Sequence, residues 1–192
     1  MSADMESSKQ SLNKSVWMVA LAGFILLAAS GCSSVVSKRP VGEKQVRIVA
    51  KDWEGDWRTH DGTVRVKVID AEKGILKAFW LEDDKQGNPG MRTARIELRE
   101  SGNWLFANTE DDKGRGYVWG RIKNEDRQIV VWSPNDKVFS KLITDGVFPG
   151  KVESGEVALE ELKPQHLKII TSGEKGVLFL WDEPTVFLKV GN

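Results

Sequence analysis

Short apolar runs with a period of two, separated by turn residues, constrain the fold of this chain more than any other feature. Residues 64–68 read Val-Arg-Val-Lys-Val and residues 95–99 read Arg-Ile-Glu-Leu-Arg. Because successive side chains of a strand point to opposite faces of a sheet, this alternation predicts strands with one buried face. Further runs rich in Val, Ile, Phe and Trp are residues 75–81, 104–108, 117–123, 128–132, 137–144, 167–171, 176–181 and 185–190.

The spacing of these runs predicts the fold class. Clusters of Gly, Pro, Asn, Asp and Ser separate them at intervals of about 10–14 residues, which is typical of antiparallel meanders. We therefore expect an all-β domain of about 8–10 strands, either an antiparallel β-barrel or a β-sandwich. One segment favours a helix: residues 154–162, where Ser154 is a candidate N-cap.

Charge and cysteine content restrict the partners and the covalent chemistry. The 192 residues include 28 Lys and Arg and 28 Asp and Glu, interspersed along the chain. Nucleic-acid binding needs a basic surplus or a basic block, so we expect no nucleic-acid partner. The single cysteine, Cys32, excludes an intramolecular disulfide, so burial and backbone pairing must hold the domain together.

The first 31 residues have the three parts of an export signal. Residues 1–15 are polar and carry two lysines, residues 16–29 are apolar or small, and Ala29-Ser30-Gly31-Cys32 follows. A membrane-spanning helix needs about 20 apolar residues, so this shorter run suits a signal-peptide core. The tetrapeptide resembles the lipobox of bacterial lipoproteins, with Ala29 where that family usually has Leu.

The resemblance to bacterial lipoproteins implies a processing route and a location. It implies that residues 1–31 are a cleaved signal peptide and that the Cys32 thiol carries diacylglycerol, with acyl chains such as palmitate. In that family Asp after the cysteine commonly retains the protein at the inner membrane, whereas this chain has Ser33. We therefore expect a protein of the cell outer membrane that is held by its lipid anchor and faces the periplasm.

The segment after the cysteine is expected to be a tether. Residues 33–44 contain Ser, Pro and Gly and have no helical period. The predicted organisation is therefore a signal peptide over residues 1–31, a lipidated cysteine and flexible tether over 32–44, and a single all-β domain over 45–192.

A tripeptide near the start of the domain resembles a lipocalin motif. Gly55-Asp56-Trp57 is similar to the lipocalin Gly-x-Trp signature, whose Trp packs across the closed end of a calycin-type barrel. Thr144-Asp145-Gly146 is similar to the Thr-Asp-Tyr loop of that family but lacks its Tyr. The late Arg of the family is also missing, and Lys189 is the nearest candidate. The resemblance implies a calycin-like barrel that binds an apolar ligand.

Residues capable of catalysis or metal binding are few. His60 and His166 lie outside any zinc-site or nucleophile motif, so we predict a protein that is not an enzyme and has no cofactor. Two acidic runs, residues 82–85 and 110–113, resemble calcium loops only superficially, because each contains a Lys and lacks the EF-hand spacing. We interpret them as solvated hairpin turns and predict no metal site.

The tryptophans leave two functions open. Trp57, Trp104, Trp119 and Trp132 would line a ligand cavity in one interpretation and fill the core of a small barrel in the other. The first gives a barrel that binds a lipid or another small apolar ligand. The second gives a structural lipoprotein that docks on an envelope protein, and we favour it because small barrels usually use their aromatic residues for packing.

Overall fold

The computed structural model describes residues 34–83, 87–153, 155–172 and 176–191, which form twelve strands and three short helices. The strands are β1 (Val35–Ser37), β2 (Lys44–Gln45), β3 (Gly55–Arg58), β4 (Thr63–Asp70), β5 (Ile75–Asp83), β6 (Pro89–Ser101), β7 (Trp104–Glu110), β8 (Tyr117–Glu125), β9 (Gln128–Trp132), β10 (Gly150–Glu153), β11 (Glu156–Leu159) and β12 (Thr185–Val190). The helices are α1 (Ala50–Trp53), α2 (Asp136–Thr144) and α3 (Pro164–Ile170).

Eight strands form a closed antiparallel barrel. Strands β3 to β9 follow one another as a meander, and each pairs with the next. Strand β12 inserts between β9 and β3 and completes the circle. The expected antiparallel barrel is thus confirmed over the alternative of a sandwich. Closure removes the free edges that an open sheet of this size would expose.

The period-two runs explain why the barrel has an apolar interior. On β4, Val64 and Val66 are buried, while the alternate residues Arg65 and Lys67 face solvent. On β5, Leu76 and Ala78 are buried in the same interior cluster. On β4 the alternation therefore separates an apolar inside from a charged outside.

An insertion between β9 and β12 builds a second layer against the outside of the barrel. It contains α2, β10, β11 and α3, and its sheet joins the barrel through β1. Strand β1 runs parallel to β11 and antiparallel to the first part of β8, whereas the later part of β8 pairs with β9. Strand β8 therefore changes its partner along its length: its first part pairs with β1 of the added sheet, and its later part pairs with β9 in the barrel.

The stretch expected to be a tether is folded from Ser34 onward. Val35, Val36 and Val41 are each at most 3% exposed, so they are core residues. The side chain of Asn108 accepts a hydrogen bond from the Val41 amide at 2.6 Å and donates to its carbonyl at 3.1 Å. We call residues 34–49 the strap, because they run along β8, past Asn108 and Arg99, to α1.

The expectation of a flexible tether is therefore wrong for residues 34–44, and the domain begins before Gln45. The Ser, Pro and Gly residues of this segment suggested flexibility, but three valines among them are buried in the core. The side chain of Asn108 on β7 supplies the hydrogen bonds of the Val41 backbone. The predicted signal peptide, Cys32 and Ser33 lie outside the described residues.

Four local predictions differ from the structure. Residues 137–144 and 167–171, expected as strands, lie largely in α2 and α3. The expected helix over residues 154–162 is wrong, because its described part contains strand β11. Residues 176–181 form turns with an isolated bridge between Phe179 and Pro134 rather than a strand.

Local signals account for the two helices. The Asn135 side chain caps α2 by accepting from the Val138 amide at 3.3 Å. Pro164 lies in the first turn of α3, where its missing N–H costs no hydrogen bond. Among the described residues, none of the helices has the length and the hydropathy that spanning a lipid bilayer requires.

Candidate functional site

The barrel interior contains a small cavity with an entirely apolar lining. Its volume is about 50 Å³. Its lining residues are Trp53, Trp57, Val64, Val66, Leu76, Ala78, Ile96, Ala107, Ile122, Ile129, Val131 and Phe187. Sites for drug-sized ligands usually measure about 300–1,000 Å³, and an engineered cavity of about 150 Å³ accepts benzene. The interior is therefore close to filled, and no lipid fits it in this conformation.

The short helix α1 and the ring of Trp57 lie next to each other and close one end of the barrel. Trp57 is only 1% exposed, and its Nε1 donates to the Trp53 carbonyl at 2.8 Å. Trp53, the last residue of α1, is buried beside it and also borders the cavity. This places Trp57 at the closed end, where the Gly-x-Trp resemblance expects it.

Lys189 covers the same ring from the last strand. It is directly opposite Trp57 in the β12–β3 register, and its Nζ lies 5.3 Å from the ring centroid. The ammonium also donates to the Lys51 carbonyl of α1 at 2.6 Å. Lys189 therefore links the helix, the Trp57 ring and the last strand.

The backbone conformation of Gly55, beside the same contact, favours glycine. Its φ of +132° is a conformation that side-chain-bearing residues rarely adopt, and an added Cβ would lie 3.2 Å from Lys189 Cε. The second lipocalin-like segment, residues 144–146, does not lie in the barrel. Thr144, Asp145 and Gly146 end helix α2 of the insertion instead of joining two barrel strands.

Three of the four tryptophans predicted as cavity residues lie outside the barrel. Only Trp57 borders the cavity. Trp104, Trp119 and Trp132 lie in the second hydrophobic cluster, between the outer face of the barrel and the insertion. The four predicted residues are therefore not brought together in one site.

The outer cluster is built from aromatic ring contacts. Trp119 is fully buried, and its ring centroid lies 5.7 Å from that of Phe139, 5.9 Å from that of Phe179 and 6.1 Å from that of Phe106. All three contacts are edge-to-face, a favourable geometry for aromatic pairs. We call this group of rings the outer aromatic layer, and its other members are Trp104, Trp132, Phe148 and Trp181.

A cation lies among the tryptophans of the outer aromatic layer. The Cζ atom of Arg121 is 3.9 Å from the ring centroid of Trp104, 4.9 Å from that of Trp181 and 5.4 Å from that of Trp132. Sequence patterns did not single out Arg121, because a lone Arg on a strand carries no motif. Its contacts show that three indoles are engaged by the protein's own guanidinium.

The acidic run at the β7–β8 turn is held by cations of the chain itself. Arg115 donates to both carboxylate oxygens of Asp111, at 2.8 Å each, and also pairs with Glu156 of β11. The hydrogen bonds from the Arg115 side chain hold the pKa of Asp111 below its usual value. Lys113 reaches the other oxygen of Glu156 at 2.9 Å. The turn is thereby fastened to the insertion.

The remaining acidic run begins at the end of β5, at the β5–β6 hairpin, and only part of it is described. Glu82 accepts from Trp80 Nε1 at 3.4 Å and lies 3.6 Å from Arg92. Asp84 and Lys85 lie outside the described residues. In the described part of the chain, no three His, Cys, Asp or Glu side chains are close enough to hold a metal ion.

The histidines have different surroundings. His60 Nε2 lies 2.8 Å from Asp61 in the exposed β3–β4 turn. His166 is buried in α3, where its Nδ1 accepts from the Lys163 amide at 3.0 Å and its ring packs on Phe148. Burial, with a smaller contribution from the Lys163 charge, lowers the pKa of His166.

Comparison of this chain with known proteins gives no relative: no family model, no curated protein and no solved structure matches it.

Proposed function

We propose that this chain is a lipid-anchored lipoprotein of the cell envelope, with a barrel that serves as a rigid, non-enzymatic docking module and not as a lipid carrier. The observation that carries the proposal is the near-filled interior, which leaves about 50 Å³. A binding barrel for a fatty acid needs several times that volume. Three of the tryptophans that would line such a site attach the insertion instead.

The anchor part of the proposal is supported by the lipobox-like tetrapeptide that ends in Cys32. The described residues begin at Ser34, and two residues of chain span at most about 7 Å from there to Cys32. A lipidated Cys32 would therefore hold the β1 side of the domain directly at the outer-membrane surface. Such a short link suits a module that presents a fixed face to its surroundings.

The anchor is tested with Cys32→Ser in the full chain. We expect this variant to keep its leader or be misprocessed, and to disappear from the outer-membrane fraction. Ser33→Ala serves as the matched control, because it changes a neighbouring side chain and leaves the thiol. Normal processing and fractionation of Cys32→Ser would contradict the lipoprotein assignment.

The second candidate function is binding of a small apolar ligand, and the wholly apolar lining of the cavity favours it. The two functions differ in their response to Ala78→Val, which adds two methyl groups to the lining. In a docking module this variant fills space and stabilises the protein by about 0.5–1 kcal/mol. In a ligand-binding barrel it would weaken binding.

A direct titration decides between them. The tryptophan fluorescence of the wild-type protein should not change saturably when palmitic acid is added, and the melting temperature should stay constant. A ligand that binds only the folded state stabilises it by mass action. A one-to-one response to palmitate that Ala78→Val weakens would replace docking by ligand binding as the proposed function.

A further inference from the structure

The outer face of β4, β5 and β6 carries a row of cations that the sequence does not reveal. Lys67 is directly opposite Lys77 in the β4–β5 register, and Lys77 is directly opposite Arg95 in the β5–β6 register. All three point outward, because their strand neighbours line the cavity. Side chains opposite one another on adjacent strands have Cβ atoms about 5 Å apart. The register therefore produces three aligned positive charges.

Acidic side chains of the protein itself neutralise little of the positive charge of this row. Neither Lys67 nor Lys77 forms an ion pair with a described residue, and Arg95 only reaches Glu97 at 3.9 Å. Glu97 is already bound by Arg99 at 2.9 Å. Like charges directly opposite on a sheet destabilise it, so the row costs the folded state free energy.

Apolar side chains extend the row toward the β5–β6 hairpin. Leu81 and Met91 are opposite each other in the register, and they are 62% and 72% exposed. Phe79 lies between them and the row, with Lys77 Nζ 5.3 Å from its ring centroid. We call this surface the basic wall: Lys67, Lys77, Phe79, Leu81, Met91 and Arg95.

We propose that the basic wall is the docking surface of this module and that its occupant is an acidic protein with an apolar contact residue. Uncompensated cations beside exposed apolar side chains complement such a surface in charge and in polarity. The inference rests on the proposed function for its orientation. Strand β1, next to the anchor, pairs with β8, and two barrel strands separate β8 from β5.

That orientation selects protein over lipid as the occupant. The anchor holds the β1 side at the membrane, so the wall on the far side of the barrel faces away from it. The anchoring bilayer therefore does not reach Lys77, and the partner approaches from the opposite direction. An anionic membrane remains the competing occupant that the experiment must exclude.

The test uses the full lipidated chain in intact cells, with the photo-crosslinker p-benzoylphenylalanine at Leu81 or Met91. We expect both positions to give an adduct with the same protein, and the same label at Val177, on another exposed site, to give none. The double variant Lys67→Glu, Lys77→Glu should reduce the adduct and the affinity of the purified pair about tenfold or more. The equally charged double variant Lys151→Glu, Lys168→Glu, on the insertion, should leave both unchanged.

Stability distinguishes a lost contact from a lost fold. The double variant keeps a like-charge pair between positions 67 and 77 but makes the pair between position 77 and Arg95 attractive, so its melting temperature should stay within about 2 °C of the wild-type value. An adduct that survives the wall variant, or a wall variant that fails to fold, would overturn the proposal.

Two further readouts separate the remaining outcomes. Binding of the domain from Ser34 onward to phosphatidylglycerol vesicles, lost in the wall variant, would overturn the protein occupant and assign the wall to lipid. If the wild-type chain is absent from the envelope fraction, the proposed function itself has failed. A wild-type chain that fractionates normally and gives no adduct contradicts only the docking surface.

Discussion

The inside of the barrel and the layer on its outside are both well-buried cores, yet they are built differently. The interior is mainly aliphatic, with tryptophans at its ends, and it retains a small cavity. The outer aromatic layer is packed ring against ring around Trp119 and Phe179. The difference shows that this chain uses large aromatic residues chiefly to fasten an insertion to a barrel wall, where a binding barrel would use them to line a cavity.

The comparison predicts two large losses of stability of similar size that affect different regions of the protein. Trp57→Ala and Trp119→Ala should each destabilise the protein by about 4 kcal/mol, since each removes a nearly fully buried indole. Hydrogen exchange should then speed up throughout the barrel strands in Trp57→Ala and first in α2 and α3 in Trp119→Ala. Identical exchange patterns would mean that the two cores form one cooperative unit.

The next largest loss of stability is expected when the hydrogen bonds between Asn108 and the strap are removed. Asn108→Ala leaves the Val41 amide and carbonyl unpaired in a buried site, which should cost about 3 kcal/mol in unfolding by denaturant. Asn124→Ala is the control, because it removes one exposed hydrogen bond to the Asp52 carbonyl. Limited proteolysis should cut residues 38–43 faster in Asn108→Ala only, and equal cleavage would contradict the role of the strap.

The link between the β7–β8 turn and the insertion should depend on pH. The pKa of Asp111 in the folded protein is below its ordinary 3.8, so its stabilising effect is complete above that pH and is lost as the pH falls through the folded value. Asp111→Asn should cost about 2 kcal/mol at pH 7, and its stability should approach that of wild type in acid. A constant difference between the two proteins down to pH 2 would exclude the Arg115 pair as the cause.

The smallest effect is expected at the closed end of the barrel. Lys189→Met removes the contact with the Trp57 ring and the hydrogen bond to Lys51, and thermal unfolding should show a loss of about 1 kcal/mol. Lys189→Arg keeps a cation over the ring and should retain most of the stability. Equal losses in both variants would show that the ammonium group itself, and not positive charge, is required.

The sequence predicted antiparallel strands and left barrel and sandwich open, because alternation is a property of single strands and closure of a sheet is not. It could not distinguish the inside from the outside on β7 and β8, where Phe106 and Ala107 are both fully buried on opposite faces. Trp104 and Trp119 were therefore assigned to a cavity that they do not border. The row of Lys67, Lys77 and Arg95 was hidden for a different reason, since it exists only once the register of three strands is known.

Helices α2 and α3 were predicted as strands because β-branched and aromatic residues in them were given more weight than the local helix signals. Residues 137–144 are rich in β-branched and aromatic residues, yet Asn135 provides a cap and Val138 and Leu142 have helical spacing. At the closed end, Gly55 and Trp57 came from a short motif. Trp53 had no such signal, because its contact with the Trp57 ring depends on the four-residue helix that precedes β3.

The placement of β1 between two strands has a mechanical consequence. A pull on the chain before Ser34 acts along β1, whose hydrogen bonds run sideways to β11 on one side and to β8 on the other. Such a load shears several bonds together and does not peel them one at a time. If Cys32 carries the proposed lipid anchor, a pull on it is transmitted through β1 to β11 and β8, and from β8 to the closed barrel, so extraction of β1 requires these hydrogen bonds to break together.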